Sequence, residues 1–269
     1  MTKLYIVEGL PCSGKSTTAK YISEKLSETG KTVKFVDEGN GNHPADYEFH
    51  AFVKENDFQK FDARLQKKIK ECSEQKESGY IIPLSQFADE DFETLLKYKI
   101  YDFLSWEVEM PQMLAKWQDF ADKAINDEVV YVFNCVFLQN PMCETMMRFN
   151  FTENQSLEYI SKIQKIINQL NPMVIYLKND DIAKCVNETA KEREDWLDAV
   201  IDYHINGEYG KSIGAQGFDG YISCLKERQR RELVILEQLP IKKLIVDNAH
   251  RDWKMAYNKI NKVIAKVKS

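Results

Sequence analysis

The 269-residue chain has little of what marks several large classes of protein. No run approaches the roughly 20 consecutive apolar residues of a membrane-spanning helix. Met1-Thr2-Lys3-Leu4 leads straight into a strand-like segment, without the apolar stretch and cleavage site of a secretory leader. A basic excess is also missing. There are 37 Lys+Arg against 42 Asp+Glu, a net charge of −5, which argues against a general nucleic-acid binder. Glycine and proline number only 11 and 7 while 43% of residues are hydrophobic, so disorder is excluded as the main state. The six cysteines, Cys12, Cys72, Cys135, Cys143, Cys185 and Cys224, form no C-x-x-C pair and have no histidine at zinc-ligand spacing. They read as reduced thiols, and the expected setting is the cytoplasm.

What is present is an α/β alternation. Leu4-Tyr5-Ile6-Val7 is a short apolar run, and Ala19, Ile22 and Leu26 mark one face of a helix from Lys15 to about Leu26. Gly30 closes that helix, and Thr32–Val36 is a second strand. This βαβ unit implies a parallel sheet. Strands recur at Val129–Phe133, Met173–Leu177 and Leu244–Val246, with helices at 157–170, 181–200, 221–239 and 252–267 between and after them. Residues 41–128 read as a helical insertion. Within it, Phe58, Phe61, Leu65 and Ile69 share a face, Ile81–Leu84 is a connector or short strand, and 92–103 and 113–125 are helical. The aromatics of that stretch, among them Tyr98, Trp117 and Phe120, suit either a stacking platform or ordinary core. Five of the glycines fall between Gly207 and Gly220, which predicts a mobile loop. With no linker or repeat, a single domain over 1–269 is expected, its core formed by about 1–40 and 129–269.

Gly9-Leu10-Pro11-Cys12-Ser13-Gly14-Lys15-Ser16 fits G-x-x-x-x-G-K-[ST] between a predicted strand and helix, the context that gives the motif meaning. Its backbone N–H groups and the positive end of the helix suit phosphate. Lys15 is positioned for the β- and γ-phosphates, the Ser16 hydroxyl for Mg2+, and Thr17 completes the predicted nucleotide-binding set with Gly9, Pro11, Cys12, Ser13 and Gly14. A side chain at Gly14 would occupy phosphate space.

Val7-Glu8-Gly9 leading into that loop and on through Thr17 resembles the opening of the P-loop small-molecule kinases, closest to the thymidylate kinase and deoxynucleoside kinase group. Ile175-Tyr176-Leu177, followed by acidic residues and a charged helix, is similar to that group's approach to its lid. The specific resemblance covers about a tenth of the chain. It implies a parallel five-stranded sheet flanked by helices, here with the large insertion between the second and third core strands. It also implies ATP as donor and a lid that supplies cations. Three departures stand out. Asn187 and Lys191 fall near the family's lid arginines, leaving Arg193 as the nearest arginine. The Asp/Glu-Arg-Ser motif is missing. Asn134 stands where a Mg2+-organising acid is usual.

Asp37 and Glu38, at the end of the second strand, are the candidates for a general base, with Glu38 favoured because Gly39 permits close approach. Arg193, aided by Lys191, is the candidate lid cation, against surface pairing with Glu188, Glu192 or Glu194. His43, Gln139 and Lys211 are candidates for contact with an acceptor. Of Arg228, Arg230 and Arg231, two have Glu227 and Glu232 as potential partners, which leaves one for phosphate. The favoured function is transfer of the γ-phosphoryl group of ATP to a small acceptor, with nucleosides or nucleotides first and a sugar or antibiotic next. A regulatory or degenerate nucleotide-binding protein is the reading of another class. Lys178-Asn179-Asp180 faintly matches a guanine-recognition element, but no D-x-x-G accompanies it. The expected partners are a nucleoside triphosphate and its acceptor, with no nucleic-acid polymer and no membrane; a homodimer is left open.

Overall fold

A computed structural model describes residues 1–193, 196–247 and 252–265. The first 38 residues give β1 (Leu4–Gly9), α1 (Lys15–Ser27) and β2 (Val33–Val36). Residues 39–120 contain β3 (His50–Lys54), α2 (Glu55–Phe58), α3 (Ala63–Cys72), β4 (Glu74–Lys76), β5 (Gly79–Pro83), α4 (Asp89–Leu96), α5 (Ile100–Phe103) and most of α6 (Trp106–Ala124). The rest supplies β6 (Val130–Asn134), α7 (Gln139–Met142), a π-helical turn at Cys143–Arg148, α8 (Glu153–Ile167) and β7 (Met173–Lys178). It continues with α9 (Ile182–Ala190), α10 (Trp196–Asn206), α11 (Glu208–Ser212), α12 (Gly217–Gln238), β8 (Lys242–Asp247) and α13 (Trp253–Ala265).

The chain forms two compact units, residues 1–38 with 121–269, and residues 39–120. The first carries a five-stranded sheet in the order β2-β6-β1-β7-β8, parallel throughout. β1 lies at its centre between β6 and β7, and each of its residues is buried. This explains why the strand reads as a continuous apolar run and not as an alternation. Ala19, Ile22 and Leu26 of α1 pack with Ala256, Ile260 and Ile264 of α13 against Tyr5, Val7, Val132 and Ile175. Together these features are a P-loop kinase-like α/β fold. α8 starts at a reciprocal cap, in which Thr152 Oγ1 accepts from the Gln155 backbone while the Gln155 side chain accepts from the Thr152 backbone.

The unit of residues 39–120 differs from the helical insertion expected from sequence. It holds an antiparallel sheet in the order β3-β5-β4, packed with α3 and α4 around Val53, Phe58, Leu65, Ile69, Tyr80 and Ile82. β4 reads Glu-Gln-Lys and is polar throughout, and the Pro83 that obscured β5 is merely its last residue. The amphipathic stretch predicted over 56–76 is therefore α2, α3 and β4 in succession. Trp117 and Phe120 are core, and the Tyr98 side chain packs against the same cluster as Tyr80.

The glycine-dense segment is not a loop either. It forms α11 and the first turns of α12. Three of its glycines, Gly207, Gly210 and Gly220, permit close backbone approach: a Cβ at Gly207 would stand 2.5 Å from the Met147 carbonyl oxygen, and one at Gly210 2.2 Å from that of His204. The expected loop is replaced by helical turns in which Gly207, Gly210 and Gly220 pack against neighbouring backbone. The closing helix predicted over 252–267 is α13, with 266 and 267 outside the described residues.

One polar group sits at the centre of this unit. The Glu8 carboxylate, fully buried in β1, accepts the backbone N–H groups of Phe137, Leu138 and Gln139 at 2.8, 3.0 and 3.1 Å. Burial raises its pKa to about 7, against the pull of those three donors and with a push from the Glu232 charge. The folded state therefore holds a proton on Glu8 over a range where the unfolded chain has lost it. The stabilisation is complete below about 4.5 and is lost as pH rises through about 7. Urea unfolding of the wild type and Glu8→Gln across pH 5–8 should show the wild type losing about 1–3 kcal/mol relative to the variant as pH rises. Parallel curves would rule out this titration.

Candidate functional site

The loop between β1 and α1 turns on two residues with positive φ, Cys12 at 67° and Gly14 at 87°. No side chain caps α1 and no acid lies in its first turn, so the first backbone N–H groups of a 13-residue helix stay open to an anion. Gly9 lies in contact with β7: a Cβ there would stand 2.6 Å from the Leu177 carbonyl oxygen. A cavity of about 490 Å³ opens on the loop, and Pro11, Cys12, Gly14, Lys15, Ser16 and Thr17 contribute to its wall. Gly9 and Ser13 are outside that wall, with Ser13 Oγ buried behind it. Lys15 is itself buried, and its Nζ rests 2.8 Å from the Leu10 carbonyl within its own loop.

Gly14 has a second role that the sequence did not disclose. The Trp253 ring, at the start of α13, lies over it so closely that a Cβ would meet Cη2 at 2.2 Å. Trp253 also lines the cavity. The residue is glycine because of this ring as well as its left-handed backbone.

The end of β6 faces the loop through Asn134. Its Nδ2 donates to Ser16 Oγ (3.1 Å) and to Asp37 Oδ1 (2.8 Å), and its Oδ1 accepts the Glu38 N–H (2.9 Å). The amide is thus the link that joins the α1 hydroxyl to a carboxylate after β2. An aspartate at 134 has no hydrogen to give, and it would place two carboxylates in contact. The departure noted in sequence at Asn134 thus has an acid beside it, Asp37. Ser16 and Asp37 are the hard oxygen donors of this corner, the type Mg2+ takes.

Asp37 and Glu38 have different environments despite being adjacent. Glu38 lines the cavity. It accepts from Gln139 Nε2 through Oε1 and from Cys135 Sγ at 3.1 Å through Oε2. Cys135, buried and at φ 69°, keeps its proton because burial pushes the thiol pKa well up. Gln139 shares the wall with Glu38, and its backbone is one of the three held by Glu8.

Thr189 at the end of α9 and Glu192 and Arg193 just after it add to the wall, with the Arg193 guanidinium 5.9 Å from the Trp196 ring centre. Glu194, one of the expected surface partners, lies outside the described residues. Two sequence candidates are elsewhere. Lys211 pairs with Glu208 (2.9 Å) on an exposed helical turn, so it is not poised in a loop over the cavity. His43 belongs to the other unit, where it is buried and its Nδ1 accepts the Ala45 N–H at 3.1 Å.

Among the residues of the wall that went unnoticed in sequence or were only grouped are Cys143, Trp196, His204 and Arg228. They lie on helices remote from the motif, and no local pattern marks them. Of the basic group on α12, Arg230 pairs with Glu227 and Glu153, and Arg231 pairs with Glu227. Arg228 is buried beside Glu232, which also accepts the Tyr176 hydroxyl at 2.6 Å.

Comparison with known proteins gives three results. A sequence model of the family described as chromatin associated protein KTI12 matches residues 2–78. No curated protein matches in sequence. Among solved structures, the chain is similar to a deoxyadenosine kinase from M. mycoides with bound dATP, at 17% identity and a TM-score of 0.42, covering 99% of this chain and 100% of that one. It is also similar to the YorR protein from Bacillus subtilis in complex with phosphorylated GDP, at 14% identity and a TM-score of 0.41, covering 98% of each.

The linking role of Asn134 has a direct test. Asn134→Asp should lower stability at pH 7 in Mg2+-free buffer by about 1–3 kcal/mol, and adding Asp37→Asn should restore most of the loss by returning one amide to the pair. Chemical denaturation of the three variants reads this out. An unchanged single variant would mean the link carries no weight. Gly14→Ala, for its part, should displace the indole and shift Trp253 emission to longer wavelength as well as lowering the thermal midpoint.

Proposed function

We propose that the chain is an ATP-dependent phosphotransferase acting on a small hydroxyl-bearing acceptor. The observation that carries this reading is the meeting of the phosphate loop and the Glu38–Gln139 pair on the wall of one cavity. A bare nucleotide-binding loop needs no carboxylate held beside it.

In this reading Lys15 leaves the Leu10 carbonyl for the β- and γ-phosphates of ATP, and the open N–H groups of α1 hold the remaining phosphate oxygens. Ser16 and, through Asn134, Asp37 are the residues that would hold Mg2+, which supplies charge neutralisation on the phosphate oxygens when bound. Glu38 takes the proton of the acceptor hydroxyl. The freed oxygen bonds to the γ-phosphorus as the bond to the β–γ bridging oxygen breaks, and ADP departs. Gln139 fixes the Glu38 carboxylate, and Arg193 offers the lid charge for the transferring group. Glu38 takes this role in preference to Asp37 in this reading because Glu38 lines the cavity, whereas Asp37 faces Asn134. A binding role for Lys211 has no support from its ion pair with Glu208 on an exposed turn.

The test is ADP release from Mg2+-ATP with and without pooled nucleosides, nucleotides, sugars and aminoglycosides, using Lys15→Ala as the blank. Acceptor-dependent release is expected. Glu38→Gln should lower kcat at least 100-fold with KM for ATP within about twofold. Asp37→Asn should chiefly raise the Mg2+ concentration needed for half-maximal rate. Tight ATP binding with no acceptor-dependent release would favour the regulatory reading instead.

A further inference from the structure

Three buried side chains on the cavity wall carry polar atoms that nothing among the described residues satisfies. Arg228, 1% exposed, stands with Nε 3.0 Å from Glu232 in an ion pair and gives its Nη1 to Cys143 Sγ at 3.4 Å, while neither Nε nor Nη2 has a hydrogen-bond acceptor among the described residues. His204, 4% exposed, has Nδ1 2.7 Å from the Val200 carbonyl. A carbonyl oxygen only accepts, so Nδ1 carries the proton and Nε2 presents a lone pair, for which no donor is present. Burial and the nearby Arg228 charge hold the imidazole neutral, with its pKa lowered to about 4. In Gln139 the amide nitrogen is engaged by Glu38, and Oε1 is buried without a donor.

The three belong to one wall. His204 packs edge-on against Tyr221 at 4.8 Å, Cys143 contacts Arg228, and the Glu38 charge is felt at Cys143. Orphaned buried polar atoms of this kind cost stability unless a ligand satisfies them. Their pattern is one donor and two acceptors. The donor's charge is already matched by Glu232, and the Glu38 carboxylate stands on the same wall.

We propose that this wall recognises the phosphate acceptor and selects an uncharged compound, one with an oxygen for Arg228 and N–H or O–H groups for His204 and Gln139. A nucleoside or a sugar is of that kind, and its phosphorylated counterpart is not. The inference rests on the phosphotransferase reading. At this part of the wall an anion would gain a contact from a guanidinium that is already neutralised, while facing two lone pairs and the Glu38 carboxylate. An uncharged hydroxyl or amide satisfies donor and acceptor alike.

The experiment pairs each neutral probe with its phosphorylated form: thymidine and 2′-deoxyadenosine with their 5′-monophosphates, and glucose with glucose 6-phosphate. Binding to the intact chain loaded with ADP is measured by titration calorimetry, and γ-phosphoryl transfer from ATP is measured alongside. At least one neutral probe should bind 30-fold or more tightly than its partner. His204→Phe should weaken that binding at least tenfold, His204→Gln should recover part of it by restoring an acceptor, and KM for ATP should move less than twofold in both. The double variant Arg228→Met with Glu232→Met, which leaves no buried charge unpaired, should behave as His204→Phe does. Equal or tighter binding of the phosphorylated partner, variants without effect on acceptor binding, or no binding by any of the six probes would overturn the proposal. Neutral probes that bind with the expected sensitivity yet receive no phosphoryl group would support the wall and overturn the phosphotransferase reading. Transfer to the monophosphates in preference to the nucleosides would do the reverse.

Discussion

A carboxylate at the centre of a parallel sheet organises this molecule. Glu8 occupies the penultimate position of the central strand, immediately before the phosphate loop, and binds three successive N–H groups of the segment that follows β6. A buried acid is costly, and three backbone donors are what make it tolerable. In return the segment leaving β6 is held against β1. That segment bears Gln139, and Gln139 bears Glu38. The placement of the carboxylate proposed as base is therefore decided by a residue that never reaches the cavity.

The same economy of charge governs the corner proposed to hold Mg2+. Ser16, Asn134 and Asp37 come from the start of α1, the end of β6 and the exit of β2, three positions that a parallel sheet with this strand order brings together at its carboxyl edge. Among them one group must give hydrogens and the others accept. Asn134 has two hydrogens to give and one oxygen to take the Glu38 N–H. An amide at the strand end and an acid after β2 are thus one solution, and neither residue is explicable without the other.

The far wall follows a different logic. Arg228, Glu232 and Tyr176 form a buried polar core in which the ion pair is formed and the guanidinium still has an unused edge. His204 is fixed as a neutral acceptor by its hydrogen bond to Val200. Helices α10 and α12 carry these groups into the cavity, and the glycines of the adjoining segment allow the chain to pack tightly there.

The core strands, the α1 stripe of Ala19, Ile22 and Leu26, and the phosphate loop are legible in the sequence because each is a local pattern with a single physical reading. The antiparallel sheet of residues 39–120 is not legible, since β4 is three polar residues whose strand character comes entirely from pairing with β5. Nor are the helical turns between Gly207 and Gly220, where Gly207, Gly210 and Gly220 serve close packing. In the site, the sequence alone determined the loop, Lys15, Ser16 and the pair of acids at 37 and 38. Only the tertiary structure separated those acids, tied Asp37 to Asn134, laid Trp253 over Gly14 and brought His204 and Arg228 to the cavity. Motifs encode what neighbours along the chain do to one another, whereas a hydrogen bond across 97 residues, as between Asn134 and Asp37, exists only once the sheet has formed.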